Sequence, residues 1–372
     1  MKRNSTLLII RWIVGLLFIF SGLIKANDPL GLSYKMQEFF EAWHMIYLND
    51  YALPIALVMN VFEVLAGVAV IIGWRMKLFS WLLLLLIIFF TFLTGYATLS
   101  GKFKSCGCFG DCLPLTPFSS FVKDILLLIL IIILFSNRNR VLPSYRFERL
   151  AFFILGSVFI GVTLFESYVL TYLPVLDCLP YKAGNDITEQ MKVPTGAVSD
   201  SFALTFKYRK KGKEVEFDQE HFPDDFDSTY EFVDRFDKLV RQGTATPPIT
   251  DFALVSISGN DTTEAVLGIP KYVLVFAQNF NHWKKQADEF AVVDNYCKVH
   301  QIPLFVVTPV PKQAKETLPA ETVILQCDAT VLKTAARVNA TYFMMEKSVV
   351  KKKNSYASKN KIINYLESET GK

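Results

Sequence analysis

Three cysteines lie within seven residues of this chain, in a short segment between two long apolar runs. They are Cys106, Cys108 and Cys112, and glycines lie between them at positions 107 and 110. Such a cluster supports thiol–disulfide exchange, a structural disulfide or a metal site. A disulfide across one glycine closes a small ring that exchanges readily, and no further cysteine or histidine follows at finger-like zinc spacing. The residues favour a catalytic role of the three cysteines in exchange, with a structural disulfide and a metal site as alternatives.

The composition places this cluster beside a membrane. Hydrophobic residues make up 52% of the 372 positions, and the mean hydropathy is positive. Apolar segments of about 18–25 residues match the thickness of a bilayer core. The sequence has five of them, namely Leu7–Ile24, Ala52–Ile72, Leu78–Leu99, Phe118–Phe135 and Leu150–Tyr172. The predicted fold is a membrane all-α bundle of four helices plus a fifth span, followed by a soluble α/β domain.

The distribution of lysine and arginine predicts the orientation. One side of the predicted membrane carries mostly basic loop residues, and the other mixes basic with acidic ones. The first set is Lys2, Arg3, Arg75, Lys77, Arg138, Arg140, Arg146 and Arg149. Because basic loops stay cytoplasmic, we expect a cytoplasmic N-terminus, with the cysteines and the C-terminal domain on the opposite, oxidising side of the membrane. The expected partners are the lipid bilayer and an extracytoplasmic protein or disulfide substrate, and the charge pattern excludes a nucleic-acid footprint.

An acidic residue lies near the middle of the second predicted span. Insertion of a charged side chain at such a position costs roughly 2.5–3.5 kcal/mol, so we expect Glu63 to face the bundle and to contact a partner. Arg11 and Lys25 in the first span are the basic candidates. These three residues form a candidate site for a quinone or a proton. The alternative is an interhelical ion pair that only fixes the packing.

These positions resemble a known family. The N-terminal part, over roughly residues 7–136, resembles the DoxX-like and MauE-like membrane proteins, in particular a Bacteroidetes-type branch with an extra C-terminal domain. The resemblance rests on Arg11, Gly15, Gly22, Lys25, Glu63, Gly67 and Cys106-Gly107-Cys108-Phe109-Gly110. DoxX-like members are associated with quinone-linked sulfur oxidation, and MauE-like members with the maturation of a disulfide-rich periplasmic enzyme. The resemblance therefore implies extracytoplasmic redox chemistry by a bacterial inner-membrane protein, with a periplasmic C-terminal domain, a periplasmic protein partner or disulfide substrate, and quinone as the candidate cofactor. Because of the ligand spacing in the cysteine cluster, a metal is not expected.

The soluble part is predicted as two regions. Residues 177–246 form an extracytoplasmic α+β linker region with a strand pair, Phe202–Arg209 and Glu214–Phe217, and a helix near Ser228–Arg241. Residues 247–372 read strand, helix, strand, helix, strand, strand, helix, hairpin, helix, which resembles a thioredoxin-like domain. The remaining boundaries are 1–140 for the bundle and 141–176 for the fifth span.

The thioredoxin-like resemblance implies a Cys-x-x-Cys at the start of the first long helix, and this chain has none there. The segment reads Gln278-Asn279-Phe280-Asn281-His282-Trp283-Lys284. We predict that His282 and Trp283 form a surface cap of this helix, with binding of a ligand or a partner as the alternative. Cys297 and Cys327 are predicted to be small core residues. The run Lys351-Lys352-Lys353 is interpreted as a solvated strand edge.

Two functions follow from these patterns. In the first, the protein is an inner-membrane thiol–disulfide or quinone-linked oxidoreductase component that acts through the loop Cys106–Cys112. In the second, it is a non-catalytic membrane scaffold whose degenerate thioredoxin-like domain docks a partner protein. The two differ in the effect expected from loss of the cysteines.

Overall fold

The computed structural model describes residues 5–101, 103, 107, 109–141, 145–197, 201–210, 212–218, 221–223, 226–241, 245–281 and 283–370. Its first helices are α1 (Ser5–Asn27), α2 (Pro29–Ala42), α3 (Ala52–Ile72), α4 (Met76–Ser100), α5 (Pro117–Ser136) and α6 (Tyr145–Tyr172). All of these except α2 are long and apolar enough to cross a membrane. The five predicted spans are therefore confirmed, and the protein is a multi-pass membrane protein.

Helix α2 follows the first span, in a segment for which the sequence pattern predicted no helix. The Asp28 side chain accepts a hydrogen bond from the Gly31 amide at 3.0 Å, and Pro29 occupies the first helical turn. A capping aspartate followed by proline is a strong helix start. The helix then buries Phe39 and Phe40, and this tertiary packing outweighs the modest apolar content of the segment.

Helices α1 and α3 approach each other closely at two glycines. A Cβ on Gly67 would lie 2.6 Å from the Gly15 carbonyl oxygen, and a Cβ on Gly15 would lie 2.7 Å from that of Gly67. Small residues allow such backbone contact between membrane helices. The side chains of Val14, Ala66 and Val70 fill the adjoining core. The contact holds the N-terminal bundle together along its first two spans.

The chain divides into two compact units, Met1–Gly184 together with Ala253–Lys372, and Asn185–Phe252. The second unit contains α7 (Ile187–Gln190) and an antiparallel sheet in the order β2-β1-β3. Its strands are β1 (Ser201–Lys210), β2 (Lys213–Asp218) and β3 (Tyr230–Arg241). The first two strands confirm the predicted strand pair. The boundaries at residues 140, 176 and 246 remain predictions.

The predicted helix near Ser228–Arg241 is wrong, because this segment is strand β3. It pairs with β1, and the register shifts between Lys207 and Tyr208. A shift of this kind interrupts the two-residue alternation of a strand. The apolar residues of β3 consequently recur at a spacing that resembles a helix, whereas pairing with the neighbouring strand decides the conformation.

The α/β region, residues 253–372, is built on a mixed sheet in the order β4-β7-β6-β5-β8-β9. Strands β5, β6 and β7 are parallel, and the remaining neighbours pair antiparallel. The elements are β4 (Val255–Ser256), α8 (Thr263–Leu267), β5 (Tyr272–Phe276), α9 (Lys284–Val299), β6 (Leu304–Thr308), α10 (Pro311–Thr317), β7 (Val323–Gln326), α11 (Ala329–Ala335), β8 (Thr341–Glu346), β9 (Val349–Ser355) and α12 (Lys359–Thr370). This order confirms the predicted α/β class.

Helix α10 is the element of this region that the sequence pattern did not predict. It has seven residues and begins at Pro311, and so short a segment shows no clear apolar period. The core of the region consists of the fully buried strand β5, with Phe290 and Val293 of α9 packed against it. The peptide bond between Asn339 and Ala340, just before β8, is cis.

Candidate functional site

The predicted cysteine cluster is only partly within the described residues. Cys106 and Cys108 lie outside them. Between them Gly107 is described, with a φ of 68°, and its carbonyl oxygen accepts a hydrogen bond from the Gly110 amide at 3.0 Å. The segment Gly110–Cys112 then forms a single 3-10 turn. The glycines thus provide the tight backbone that the spacing of the cysteines requires.

The third cysteine of the cluster forms a disulfide that the sequence analysis did not predict. Cys112 is bonded to Cys178, which follows α6, and their Cα atoms are 4.9 Å apart. A signal was present in the sequence, because the five-span count places both cysteines on the same side of the membrane. The predicted catalytic role of Cys112 stays a prediction, and it requires that this disulfide first be reduced.

A cavity lies beside this loop, between α1, α2 and α4. It contains about 660 Å³ of space free of protein atoms, part of it continuous with the exterior. Aromatic and aliphatic side chains form most of its wall, and three lysines contribute polar groups together with Ser21 and Thr94. Residues that define it are Lys25, Lys35, Phe39, Leu93, Gly107 and Lys123. Gly107 places the backbone between Cys106 and Cys108 directly in the cavity wall.

Lys25, which lines the cavity, belongs to a buried ion pair. The Nζ of Lys25 contacts Oε1 of Glu63, and the two side chains are 3% and 0% exposed. The same Nζ lies 4.9 Å from the centroid of the Phe90 ring. The predicted contact between the first and second spans is therefore present, with Lys25 as the partner. Within the described residues, Oε2 of Glu63 accepts no hydrogen bond, so the pair retains an unused acceptor.

Arg11, the other basic candidate, lies elsewhere. Its guanidinium donates hydrogen bonds to the carbonyl oxygens of Val70 at 2.9 Å and Ile71 at 2.7 Å. These carbonyls belong to the last turn of α3, where helices leave acceptors unsatisfied. Val70 is seven residues from Glu63, or about 10 Å along the helix axis. Arg11 thus caps α3, and its part in a quinone site stays a prediction.

A second buried polar contact was missed by the sequence analysis. The Asn60 side chain donates from Nδ2 to Oε1 of Glu166 at 3.0 Å, and the residues are 0% and 3% exposed. Asn60 lies one turn before Glu63 on α3, and Glu166 belongs to the fifth span. An acidic residue inside a span is itself a signal of function or specific packing. The contact fixes α6 against the bundle.

Basic residues of the α/β region bind the disulfide segment. The guanidinium of Arg337 contacts both oxygens of Asp28 at 2.9 Å and Oδ2 of Asp111 at 2.7 Å. The Nζ of Lys353 lies 3.0 Å from Oδ2 of Asp177. Both basic side chains are only 5% exposed. The prediction that the run 351–353 is a solvated edge is wrong for Lys353, because Asp177 compensates the charge of its buried ammonium group.

The electrostatic environments of these two bases differ. Burial opposes the charge of Arg337, but Asp28 and Asp111 outweigh it and raise the pKa of the guanidinium. Burial lowers the pKa of Lys353, and the attraction of Asp177 offsets only part of this effect. Arg337 therefore stays charged, whereas the charge of Lys353 depends on its partner.

The segment before α9, where the predicted thioredoxin-like resemblance places a dithiol, carries amide side chains instead of cysteines. The Gln278 amide donates to Oδ1 of Asn339 at 2.7 Å, and its side chain donates to the Ala336 carbonyl oxygen at 2.7 Å. His282 lies outside the described residues. The predicted surface position of Trp283 is wrong, because this side chain is 5% exposed and packs against Phe280 and Phe290. Its apolar ring gains more from the core than from solvent.

The two remaining cysteines are core residues, as predicted. Cys297 and Cys327 are 1% and 4% exposed. Burial raises the pKa of Cys297 to about 12, with a smaller contribution from Asp294, and burial raises that of Cys327 to about 11. Both thiols are therefore protonated and shielded near neutral pH, which suits packing rather than exchange.

Comparison with known proteins identifies the membrane region. Residues 3–137 match the family model of the methylamine utilisation protein MauE, and residues 202–242 match a domain of unknown function, DUF8463. Searches of curated proteins and of solved structures found no match. The N-terminal region is thus a MauE-like membrane protein region comprising α1 to α5, while α6 and the α/β region lie beyond the match. The DoxX and thioredoxin resemblances stay predictions.

Proposed function

We propose that the protein is a bacterial inner-membrane component that transfers electrons from extracytoplasmic thiols through the loop Cys106–Cys112 to an acceptor in the cavity. The N-terminus is cytoplasmic and the α/β region periplasmic in this proposal, as the basic loops indicate. A cytoplasmic position of a reporter fused after Lys372 would contradict this orientation.

One observation carries the proposal, namely the place of Gly107 in the cavity wall. Its covalent neighbours are Cys106 and Cys108, so a redox-active pair in this loop has an apolar binding space next to it. The rest of the wall combines aromatic rings with the ammonium groups of Lys25 and Lys35. An apolar pocket with a few convergent polar groups is the usual form of a small-molecule site.

A quinone fits this donor set. Its ring and tail are apolar and suit Phe39, Leu93 and the other apolar walls, while its oxygens accept hydrogen bonds. The ammonium of Lys25 is buried at this wall, and Glu63 compensates its charge. Lys25 and Lys35 would hold the oxygens, and the aromatic side chains would hold the ring. When bound, a quinone supplies an acceptor for two electrons and two protons.

The chain's own part of the reaction is disulfide exchange. A thiolate of a periplasmic dithiol attacks one sulfur of a Cys106–Cys108 disulfide, and a mixed disulfide forms as the Cys–Cys bond breaks. The second thiol of the partner resolves this mixed disulfide. The partner leaves oxidised, and Cys106 and Cys108 retain two electrons and two protons as thiols. Once released from its own disulfide, Cys112 would act as a resolving thiol, so that its loss should lengthen the life of the mixed disulfide.

Filling the cavity tests the proposal. In nanodiscs, purified protein should catalyse reduction of a short-chain benzoquinone by dithiothreitol, followed by quinone absorbance. We expect Leu93→Trp, which fills the cavity, to slow this reaction about tenfold or more, equivalent to at least about 1.4 kcal/mol. Leu85→Trp is the matched control, because Leu85 lies on the same helix and is 57% exposed on the outer surface. Equal rates in the two variants would exclude the cavity as the acceptor site.

The scaffold function remains the alternative, and the α/β region favours it. Its strand order and directions support a thioredoxin-like assignment, with α9 connecting the parallel strands β5 and β6 and a β8–β9 hairpin following. The predicted dithiol position, in the segment that begins Gln278-Asn279-Phe280-Asn281, has no cysteine. The Gln278 amide there donates a hydrogen bond to Asn339. A scaffold predicts that Cys106→Ser and Cys108→Ser leave partner binding intact. The redox proposal predicts that either change abolishes quinone reduction.

A further inference from the structure

Each cysteine of the disulfide follows an aspartate that a buried base of the α/β region holds. Asp111 precedes Cys112 and contacts Arg337 at 2.7 Å. Asp177 precedes Cys178, and its Oδ2 lies 3.0 Å from the Nζ of Lys353. The two ion pairs therefore lie on either side of one covalent bond and connect it to the same region.

The disulfide fixes the relative position of the two aspartates. It joins the loop before α5 to the segment after α6, and the two cysteine Cα atoms are 4.9 Å apart. Arg337 and Lys353 are each only 5% exposed. A buried cation whose carboxylate moves away loses that compensation, and this is unfavourable. The effect is larger for Lys353, whose partner is Asp177, than for Arg337, which also contacts Asp28. Docking of the α/β region thus depends on both aspartates being held in place.

Further contacts hold the same segments. Asn27, at the end of α1, donates to the Leu176 carbonyl oxygen at 2.9 Å and accepts from its amide at 3.0 Å. Asp28 is shared between the start of α2 and Arg337. The Gly184 amide donates to the Val350 carbonyl oxygen at 2.7 Å. The membrane helices, the disulfide segment and the α/β region therefore meet at one junction.

We propose that Cys112–Cys178 is a redox site whose oxidised form docks the α/β region on the membrane region and whose reduced form releases it. The reductant is a dithiol, either of a protein or of a small molecule. One of its thiolates attacks Cys112 or Cys178 and forms a mixed disulfide, and its second thiol resolves that bond. The reductant becomes a disulfide, and the two cysteines take up two electrons and two protons. This inference requires no quinone and stands apart from the function proposed above.

Formation of the Cys112–Cys178 disulfide and docking of the α/β region must influence each other reciprocally. If the disulfide favours docking, docking favours the disulfide by the same factor, and such factors are commonly about 5 to 150. Loss of either base should therefore shift the thiol–disulfide equilibrium toward the dithiol. A purely electrostatic influence has the opposite sign, because a nearby cation stabilises thiolates and its removal favours the disulfide. The direction of the shift separates the two explanations.

The first experiment measures that equilibrium in the full-length protein in nanodiscs. Cys106 and Cys108 are replaced by serine, so that alkylation at several glutathione ratios reports on Cys112 and Cys178. We expect Arg337→Gln and Lys353→Gln each to shift the thiol–disulfide equilibrium constant toward the dithiol by about fivefold or more. Lys351→Gln is the matched control, since this lysine lies on the same strand, β9, but is exposed and paired with Glu346 at 2.7 Å.

A second measurement uses the parent protein without substituted bases, so that it does not depend on whether those variants fold. Reduction should accelerate hydrogen exchange at the Leu176 and Gly184 amides about tenfold, while amides of the buried strand β5 keep their protection. Retained protection of β5 would show that the α/β region undocks rather than unfolds. In the equilibrium experiment, Arg337→Lys keeps the positive charge and should therefore show a smaller shift than Arg337→Gln. Equal exchange in the two redox states would overturn the proposal. The proposal would also be overturned if the thiol–disulfide equilibrium constants of Arg337→Gln and Lys353→Gln both lay within twofold of that of Lys351→Gln. A shift of these constants toward the disulfide would overturn it as well.

Discussion

The membrane region and the α/β region place their polar and thiol groups in opposite ways. In the membrane region, Lys25 lines a cavity beside the cysteine loop and pairs with the buried Glu63. In the α/β region, Cys297 and Cys327 are enclosed in the core, and the helix start that could present a dithiol carries amides. In the proposed function, the chemistry therefore belongs to the membrane region, and the α/β region contributes binding and position.

The largest expected effect concerns the buried ion pair. Glu63→Gln leaves Lys25 without its compensating charge, and loss of one partner of a buried pair costs about 3–5 kcal/mol. We expect a correspondingly smaller folded fraction, measured by thermal unfolding in detergent with size-exclusion detection. Adding Lys25→Met should restore part of it. Glu38→Gln is the control, because that carboxylate is 46% exposed and its pair with Lys35 contributes at most about 1 kcal/mol.

The same variant tests where the chemistry lies. If Glu63 serves a bound acceptor, quinone reduction should fall even in the fraction of Glu63→Gln that remains folded. Unchanged stability together with unchanged activity would contradict both roles and would remove the contrast between the two regions.

A smaller effect is expected at the contact between α1 and α3. Gly67→Ala places a Cβ 2.6 Å from the Gly15 carbonyl oxygen, so the helices must separate. Overpacking of this kind costs about 1–3 kcal/mol. Gly156→Ala in α6 is the matched control, since a Cβ there meets no atom within 4 Å. Equal thermal unfolding midpoints for the two variants would show that this approach does not stabilise the bundle.

The smallest effect is expected for the buried thiols. Cys297→Ala should lower the free energy of unfolding by about 1 kcal/mol through lost apolar burial and should leave quinone reduction unchanged. The pH dependence follows from the raised pKa of about 12, against an ordinary value of 9.0. The unfolded thiol ionises first, so its contribution to stability is complete below pH 9 and is lost as the pH rises toward 12. Alkylation of Cys297 in the folded protein below pH 9 would contradict this assignment.

The spans were predictable because hydropathy over about 20 residues is a local property of the sequence, and an apolar segment of that length matches the thickness of a bilayer core. Each predicted span lies within its observed helix. The predicted Lys25–Glu63 contact is present for a related reason, since an intramembrane carboxylate has few candidate partners. Strand β3, by contrast, could not be predicted from its local sequence pattern. Its apolar spacing resembles a helix, and its pairing with β1 could not be seen in the segment alone.

The candidate site residues also divide into those that the sequence pattern predicted and those that only the tertiary structure revealed. The loop Cys106–Cys112 was visible in the sequence because three thiols separated by glycines are unusual at a membrane boundary. The partner of Cys112 was not identified, because Cys178 is 66 residues away in the chain. Lys353 looked like one of three exposed lysines, and its burial against Asp177 depends on how β9 meets the segment after α6.

Composition and hydropathy are sufficient to establish a five-span membrane protein with an extra α/β region and a thiol-rich loop, because they act over short stretches of chain. The cavity beside Gly107, the Cys112–Cys178 bond and the two ion pairs that flank it arise from residues far apart in the chain. Their geometry depends on how helices and strands pack, since burial turns an ordinary arginine, lysine or aspartate into a specific contact by removing water from around its charge.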